Sequence, residues 1–152
     1  VLEAVSAAVK AKRPQEIVFC GFGESTYRLP TLIDVAKMVR AHWPRMRLRL
    51  NTIGLGNLIW ERDIVPELSL YLDAVSVSLN TADPKQWLEL HAPLRWYRDG
   101  FAAAKRFTQD CARAGIATTV TAVDQPNIDL EAVKRMAADL GADFRLRPPL
   151  NG

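Results

Sequence analysis

Ala74-Val75-Ser76-Val77-Ser78-Leu79-Asn80 alternates without a break: Val75, Val77 and Leu79 against Ser76, Ser78 and Asn80. Successive side chains of a strand point to opposite faces, so this stretch predicts a strand with one apolar and one polar face. Stretches of the same kind flank it. Arg47 to Asn51 sets Leu48 and Leu50 against Arg47, Arg49 and Asn51. Ile116 to Val123 sets Val120 and Ala122 against Thr119, Thr121 and Val123, and Asp143 to Arg147 sets Phe144 and Leu146 against Arg145 and Arg147. Nearest the start, Ile17-Val18-Phe19-Cys20 is a short apolar run stopped by Gly21 and reads as a buried parallel strand.

Helical periodicity fills the intervals. Leu2 to Ala11 repeats Leu2, Val5 and Val9 at helical spacing and ends at Arg13-Pro14. Pro30 to His42 carries Pro30 in its first turn and Leu32, Val35, Ala36 and Val39 on one face. Ile64 to Leu72 reads as a short helix or helical turn. Pro84 to Leu90, Gly100 to Ala114 (stopped by Gly115) and Leu130 to Leu140 (stopped by Gly141) complete the set. The order is a helix, then strand and helix in alternation, then a last strand. It predicts an α/β fold: a partial (β/α) barrel of the TIM type, with about five parallel strands and helices on the outer face. Right-handed crossovers are expected throughout. Residues 1–152 read as a single domain. The first helix has no strand before it and the last strand no helix after it, so the barrel is expected to be truncated at its N-terminal side. An open edge of that kind is one another chain could cover.

Composition narrows the classes of function. The 152 residues are 49% hydrophobic and 24% charged, with a net charge of +3 and a pI near 9.1. That is ordinary for a globular chain, mildly favourable to anionic ligands and too weak to argue for nucleic acid. No apolar stretch is long enough to span a membrane and no secretory leader is visible. The two cysteines, Cys20 and Cys111, are far apart, which argues against a disulfide framework and for a cytoplasmic setting.

The helices claim the apolar faces, so the polar set is expected to face the barrel interior. Barrels commonly fill that interior with aliphatic side chains. Here hydroxyls, amides and guanidinium groups point inward, and each would cost about 1–3 kcal/mol if buried unpaired. A ligand chamber at the strand C-terminal ends satisfies them; so does an internal Glu–Arg network. Arg49, Arg145 and Arg147 are candidates for binding a substrate carboxylate or phosphate, and Arg145 and Arg147 could equally pair with Glu24 or Asp124. His42 and His91 are not expected to ligate metal. Trp87, Trp96 and Tyr97 read either as a lid or as aromatic packing beneath a long connection.

Three segments carry a resemblance to a known family. Cys20-Gly21-Phe22-Gly23-Glu24-Ser25-Thr26, at a strand end, resembles the Gly-Gly-Glu motif of the radical S-adenosylmethionine (SAM) superfamily. Arg49-Leu50-Asn51-Thr52-Ile53-Gly54 is similar to that family's Asn-Thr-Asn-Gly strand end, and Ser76-Val77-Ser78-Leu79-Asn80-Thr81 to its Ser-Leu-Asp/Asn segment. With the terminal Phe144-Arg145-Leu146-Arg147, the order and spacing resemble the subgroup associated with TatD-type nucleases. The resemblance implies reductive cleavage of S-adenosylmethionine to a 5′-deoxyadenosyl radical on a small-molecule substrate. It implies cofactor contacts from Gly21, Gly23, Glu24, Asn51, Thr52, Ser76, Ser78 and Asn80. It also implies a [4Fe–4S] cluster, but the C-x3-C-x2-C loop that would hold it is absent from this chain. Ser25 stands where the family has proline and Ile53 where it has asparagine. The chain is thus expected to ligate no cluster and to be inactive as given. Open alternatives are a binding or regulatory relative without a cluster, a (β/α) barrel enzyme for a phosphorylated metabolite, and a module for a partner protein.

Overall fold

The chain makes its strands in the order in which they lie side by side. β1 (Glu16–Phe19), β2 (Arg47–Thr52), β3 (Ala74–Ser78), β4 (Ala117–Val123) and β5 (Asp143–Arg147) form one parallel sheet. The computed structural model describes residues 2–12, 14–21, 23–94, 97 and 99–149. Between the strands run α2 (Leu29–His42), α3 (Gly56–Ile59), α4 (Val65–Ser69), α5 (Pro84–His91), α6 (Gly100–Arg113) and α7 (Leu130–Asp139), with α1 (Leu2–Lys12) ahead of β1. Every crossover steps to the next strand in the same direction, and right-handed crossovers of that kind place all the intervening helices on one face.

The core agrees. Ala36 and Val39 of α2, Trp87 of α5, Phe107 and Cys111 of α6 and Ala137 of α7 pack with Leu48, Leu50, Val75, Val77, Val120 and Ala122 of the strands in one cluster. The alternation in the sequence is the cause: each strand gives this layer every second residue. Burying one such aliphatic side chain contributes about 1.5–3 kcal/mol. The helices start where the sequence supplies a cap. Asp83 accepts from the Gln86 N–H at 2.8 Å to open α5, and Asp129 from the Ala132 N–H at 2.8 Å to open α7. His42 closes α2, its Nδ1 lying 2.8 Å from the Met38 carbonyl.

Several details differ from the expectations. β1 begins at Glu16 and ends at Phe19, one residue earlier than the apolar run suggests, because Glu16 pairs in register with Arg47. The short helix or helical turn expected over Ile64–Leu72 is the five-residue α4, Val65–Ser69. A second short helix, Gly56–Ile59, and a 3-10 turn, Ser25–Arg28, are too brief to show periodicity. Leu146 is 43% exposed although it points to the helix side, because β5 is an edge strand. β1 is the other edge, and all its residues are half-buried. Among the described residues β1 and β5 do not pair, so the sheet is an open arc of parallel strands. No described helix is long and apolar enough to cross a membrane. Arg13, Phe22 and Trp96, which entered the sequence reading as a helix end, part of a motif and part of a lid, lie outside the described residues. Trp87 is fully buried, its ring 6.1 Å from that of Phe101, so it serves as packing.

Candidate functional site at the strand ends

The face opposite the helices is laid out in rows by the register. Asn51, Ser76, Thr119 and Asp143 make one row; Ser78, Thr121 and Arg145 make the next; Val123 and Arg147 are partners nearer the C-terminal ends. Asn80 follows β3 at that same rim. The polar groups of this surface fall into two sets that meet different fates.

On the β1–β2 side they close on one another, except for the Ser25 hydroxyl, which is buried without a partner among the described residues. Glu24 follows the Gly21–Gly23 loop and caps the 3-10 turn. Its carboxylate is 8% exposed. Oε1 accepts from the Thr26 N–H at 3.0 Å, the Thr26 hydroxyl at 2.7 Å and the Thr52 hydroxyl at 2.7 Å. Oε2 accepts from the Ile53 N–H at 2.7 Å and shares the Thr52 hydroxyl at 2.8 Å. Thr52 Oγ1 in turn accepts from the Gly54 N–H at 2.9 Å. Gly54 has φ 86, and a Cβ there would stand 3.0 Å from Ala104 and 3.1 Å from Val77, so only glycine lets this turn lie so close to α6 and β3. Glu24 thus ties the end of β1 to the end of β2, and both of its oxygens are taken by donors of the chain itself. A Cβ added to Gly21 or Gly23 meets no described atom within 4 Å, so the backbone at these two residues faces open space. A depression of about 360 Å³ lies against it, lined by Val18, Cys20, Gly21, Glu24 and Arg28 among others.

Arg49 is also closed. Its Nε donates to Glu16 Oε2 at 2.9 Å, Nη2 lies 2.9 Å from the same oxygen, and Nη1 donates to Asn51 Oδ1 at 2.6 Å with Ser76 Oγ at 3.4 Å. Glu16 also reaches Arg47 at 3.3 Å. This is the internal Glu–Arg network, built by Glu16.

The β3–β5 side is different. Ser78 Oγ and Thr121 Oγ1 lie 3.4 Å apart. Asn80 has φ 64, and its N–H donates to the Thr121 carbonyl at 3.1 Å. Asn80 Oδ1 accepts from Arg147 Nη2 at 3.2 Å, leaving Asn80 Nδ2 turned towards His91 Nε2 at 3.4 Å. Arg147 Nε is buried without a hydrogen-bond partner. Among the described residues neither Arg145 nor Arg147 forms an ion pair, with Glu24, Asp124 or any other acid. Desolvation, and then the Arg145 charge, hold Arg147 below the usual guanidinium range. Desolvation likewise pushes His91 below the ordinary imidazole value, the Arg147 charge adds to this, and a backbone hydrogen bond involving Leu79 works the other way. Asn80 lines a separate hollow of about 180 Å³ with Leu90, Val123, Gln125 and Ile128.

The structure therefore brings Glu24 to Thr52, Asn51 to Arg49 and Ser76, Ser78 to Thr121, and Asn80 to Arg147. It places Glu24 and Asn80 in different hollows. The sequence assigns no site role to Thr26, which enters only as part of a motif, or to His91, which enters only as a histidine not expected to ligate metal, and Glu16 goes unnoticed. For Glu16 the signal was present, an acid two residues after Pro14 at the mouth of a strand whose neighbour begins with Arg47.

The cysteines lie on different elements, Cys20 exposed at the end of β1 and Cys111 buried in α6, where burial raises its thiol pKa well above the usual range. No group of three His, Cys, Asp or Glu among the described residues could hold a metal ion. A cluster held by three thiolates does not fit this chain. Neither a family model nor a curated protein matches the chain.

Proposed function

We propose that the chain is the ligand-holding part of a radical SAM-type barrel, with the polar sheet face as its chamber and S-adenosylmethionine lying along the strand ends. The observation that carries this reading is one of placement. A Gly-x-Gly-Glu turn ends β1, Asn51-Thr52 ends β2 and Ser78-Leu79-Asn80 ends β3, on adjacent strands in sequence order.

The fit to the cofactor is partial. The open Gly21–Gly23 backbone, the Ser78 hydroxyl and the Asn80 amide supply hydrogen-bonding capacity for a ribose or an amino acid. The Glu24 carboxylate, already satisfied, holds the loop in place and has no free oxygen for an ammonium group. In a complete enzyme of this type the cofactor supplies a 5′-deoxyadenosyl radical, which needs a cluster these two cysteines do not hold. The roles derived for this chain are therefore binding and orientation. A binding or regulatory relative without a cluster uses the same residues in the same way.

Titration calorimetry of the chain with S-adenosylmethionine tests the reading. Saturable binding is expected, weakened about 3- to 10-fold by Ser78→Ala or Asn80→Ala, the worth of one net hydrogen bond. Absence of binding, or binding indifferent to both substitutions, defeats it.

A further inference from the structure

The β3–β5 half of the rim holds two arginines that form no ion pair among the described residues. Arg147 reaches from β5 over Val123 on β4, which is its register partner and too small to block it, to Asn80 beyond β3. That crossing buries Nε without a partner. Arg145 projects from the same face of β5 two residues earlier, about 7 Å away. Of the acids on this face, Glu16 is bound to Arg47 and Arg49, and Asp143, two residues before Arg145, forms no ion pair among the described residues. Asp124 contributes its backbone N–H to the Arg147 carbonyl at 2.9 Å, and its carboxylate is in no ion pair.

The group facing Arg147 is chosen to keep the charge in place without cancelling it. Asn80 Oδ1 takes one guanidinium N–H, which fixes the amide orientation and aims Nδ2–H at His91 Nε2. That nitrogen must accept, so His91 is neutral here. A second cation is thereby kept away from Arg147, and the fork retains free N–H donors in the geometry that suits an oxyanion. The hollow beside Asn80 is lined by Leu90, Val123, Gln125 and Ile128, a wall half polar and half apolar, of a size for the end of a small molecule.

We infer that Arg147 and Arg145, steadied by Asn80 and His91, bind an oxyanion group, carboxylate or phosphate, of the small-molecule substrate. The inference rests on the proposed function only in taking the polar face as the chamber. Arg145 and Arg147 start from β5, at the opposite edge of the sheet from β1 and the Gly21–Gly23 loop that follows it, so they serve a group other than the one held by that loop, while Asn80 between them is shared by both readings.

The experiment uses the two histidines, His42 and His91, as reporters. Imidazole resonances are followed by NMR while inorganic phosphate, or separately acetate, is added at constant ionic strength. The expected result is a saturable shift of His91 with either anion, a rise in the His91 pKa on binding, and an unmoved His42. Phosphate alone marks a phosphorylated substrate and acetate a carboxylate. Arg147→Gln should weaken binding about tenfold or more. Arg145→Gln, at an exposed position, should weaken it in a chain whose folding is undisturbed. Arg113→Gln, in the last turn of α6, should change it by no more than about twofold. A His91 signal that moves with neither anion overturns the inference, as does equal weakening by Arg113→Gln and Arg145→Gln. Calorimetry with S-adenosylmethionine is read separately, so either reading can fail while the other stands.

Discussion

The two halves of the rim are made from the same kinds of residue and end in opposite states. At β1–β2, a carboxylate, two threonine hydroxyls and two backbone N–H groups satisfy one another around Glu24, and the Arg49 guanidinium is matched by Glu16 and Asn51. At β3–β5, two arginines face one another's charge, one nitrogen is buried unpaired and the histidine is held neutral. A polar group satisfied inside the chain contributes to stability; one left unsatisfied detracts from it until a ligand arrives. The inferred anion site rests on this difference, which can be broken at either end by substitution.

The largest effect is expected at Glu24. Glu24→Ala strands the Ile53 and Thr26 N–H groups in a site with little access to water. The cost should be about 3 kcal/mol, read as a fall in the urea midpoint with an unchanged slope. A loss below about 1 kcal/mol would show that the first half of the rim is not closed in the way its geometry implies. Arg49→Gln comes next. It leaves Glu16 with Arg47 alone, and because the Arg49 and Glu16 side chains are 18% and 26% exposed, water softens the loss to about 1–2 kcal/mol. A double-mutant cycle with Glu16→Gln isolates the pair itself.

How much of this was legible beforehand follows from the range over which each interaction acts. Strand alternation is local, so the segments at Leu48, Val75 and Val120 revealed both the sheet and its polar face. Helix stops at Gly115 and Gly141 were legible for the same reason. The saturation of Glu24 was not, because its partners Thr52 and Ile53 come 28 and 29 residues later and meet it only once β1 pairs with β2. The Gly-x-Gly-Glu pattern located the turn and suggested a ligand contact; it carried no information on whether the carboxylate would be free. The periodicity ends the helix at Leu90, whereas α5 runs one residue further to His91, whose ring lies 4.7 Å from that of Trp87. Leu146 lies on the face that alternation gives it and is nonetheless exposed, since alternation cannot tell an edge strand from a central one.

A pH dependence should separate the halves further. The folded chain holds His91 below its ordinary pKa of about 6.5. Below that value the unfolded chain takes up a proton that the folded chain refuses. Stability from this source is therefore full above about pH 6.5, falls as the pH drops from there to the depressed folded value, and levels off beneath it. A protonated Nε2 would also turn a donor towards the Asn80 amide. Urea midpoints between about pH 7.5 and pH 5 should fall in the wild type and fall less in His91→Gln. Equal slopes would mean that His91 titrates as a solvated imidazole and that the second half is not organised around a neutral ring.

The smallest effect on stability, and the sharpest contrast with Arg49, is expected from Arg145→Gln. Both arginines project from the polar face of the sheet, and sequence alone does not separate them. Arg49 has a carboxylate at 2.9 Å, whereas Arg145 is exposed, pairs with no acid among the described residues and adds its charge to the field that depresses Arg147. Removing an exposed cation that has no partner takes away no attraction and relieves a repulsion screened by solvent. Chemical denaturation should thus place Arg145→Gln within about 0.5 kcal/mol of the wild type, on the stabilised side if either. Added salt should shrink the difference, since screening already weakens the repulsion in the wild type. A loss comparable to that of Arg49→Gln would reveal an internal counter-charge for Arg145, and the β3–β5 half of the rim would then be closed like the other.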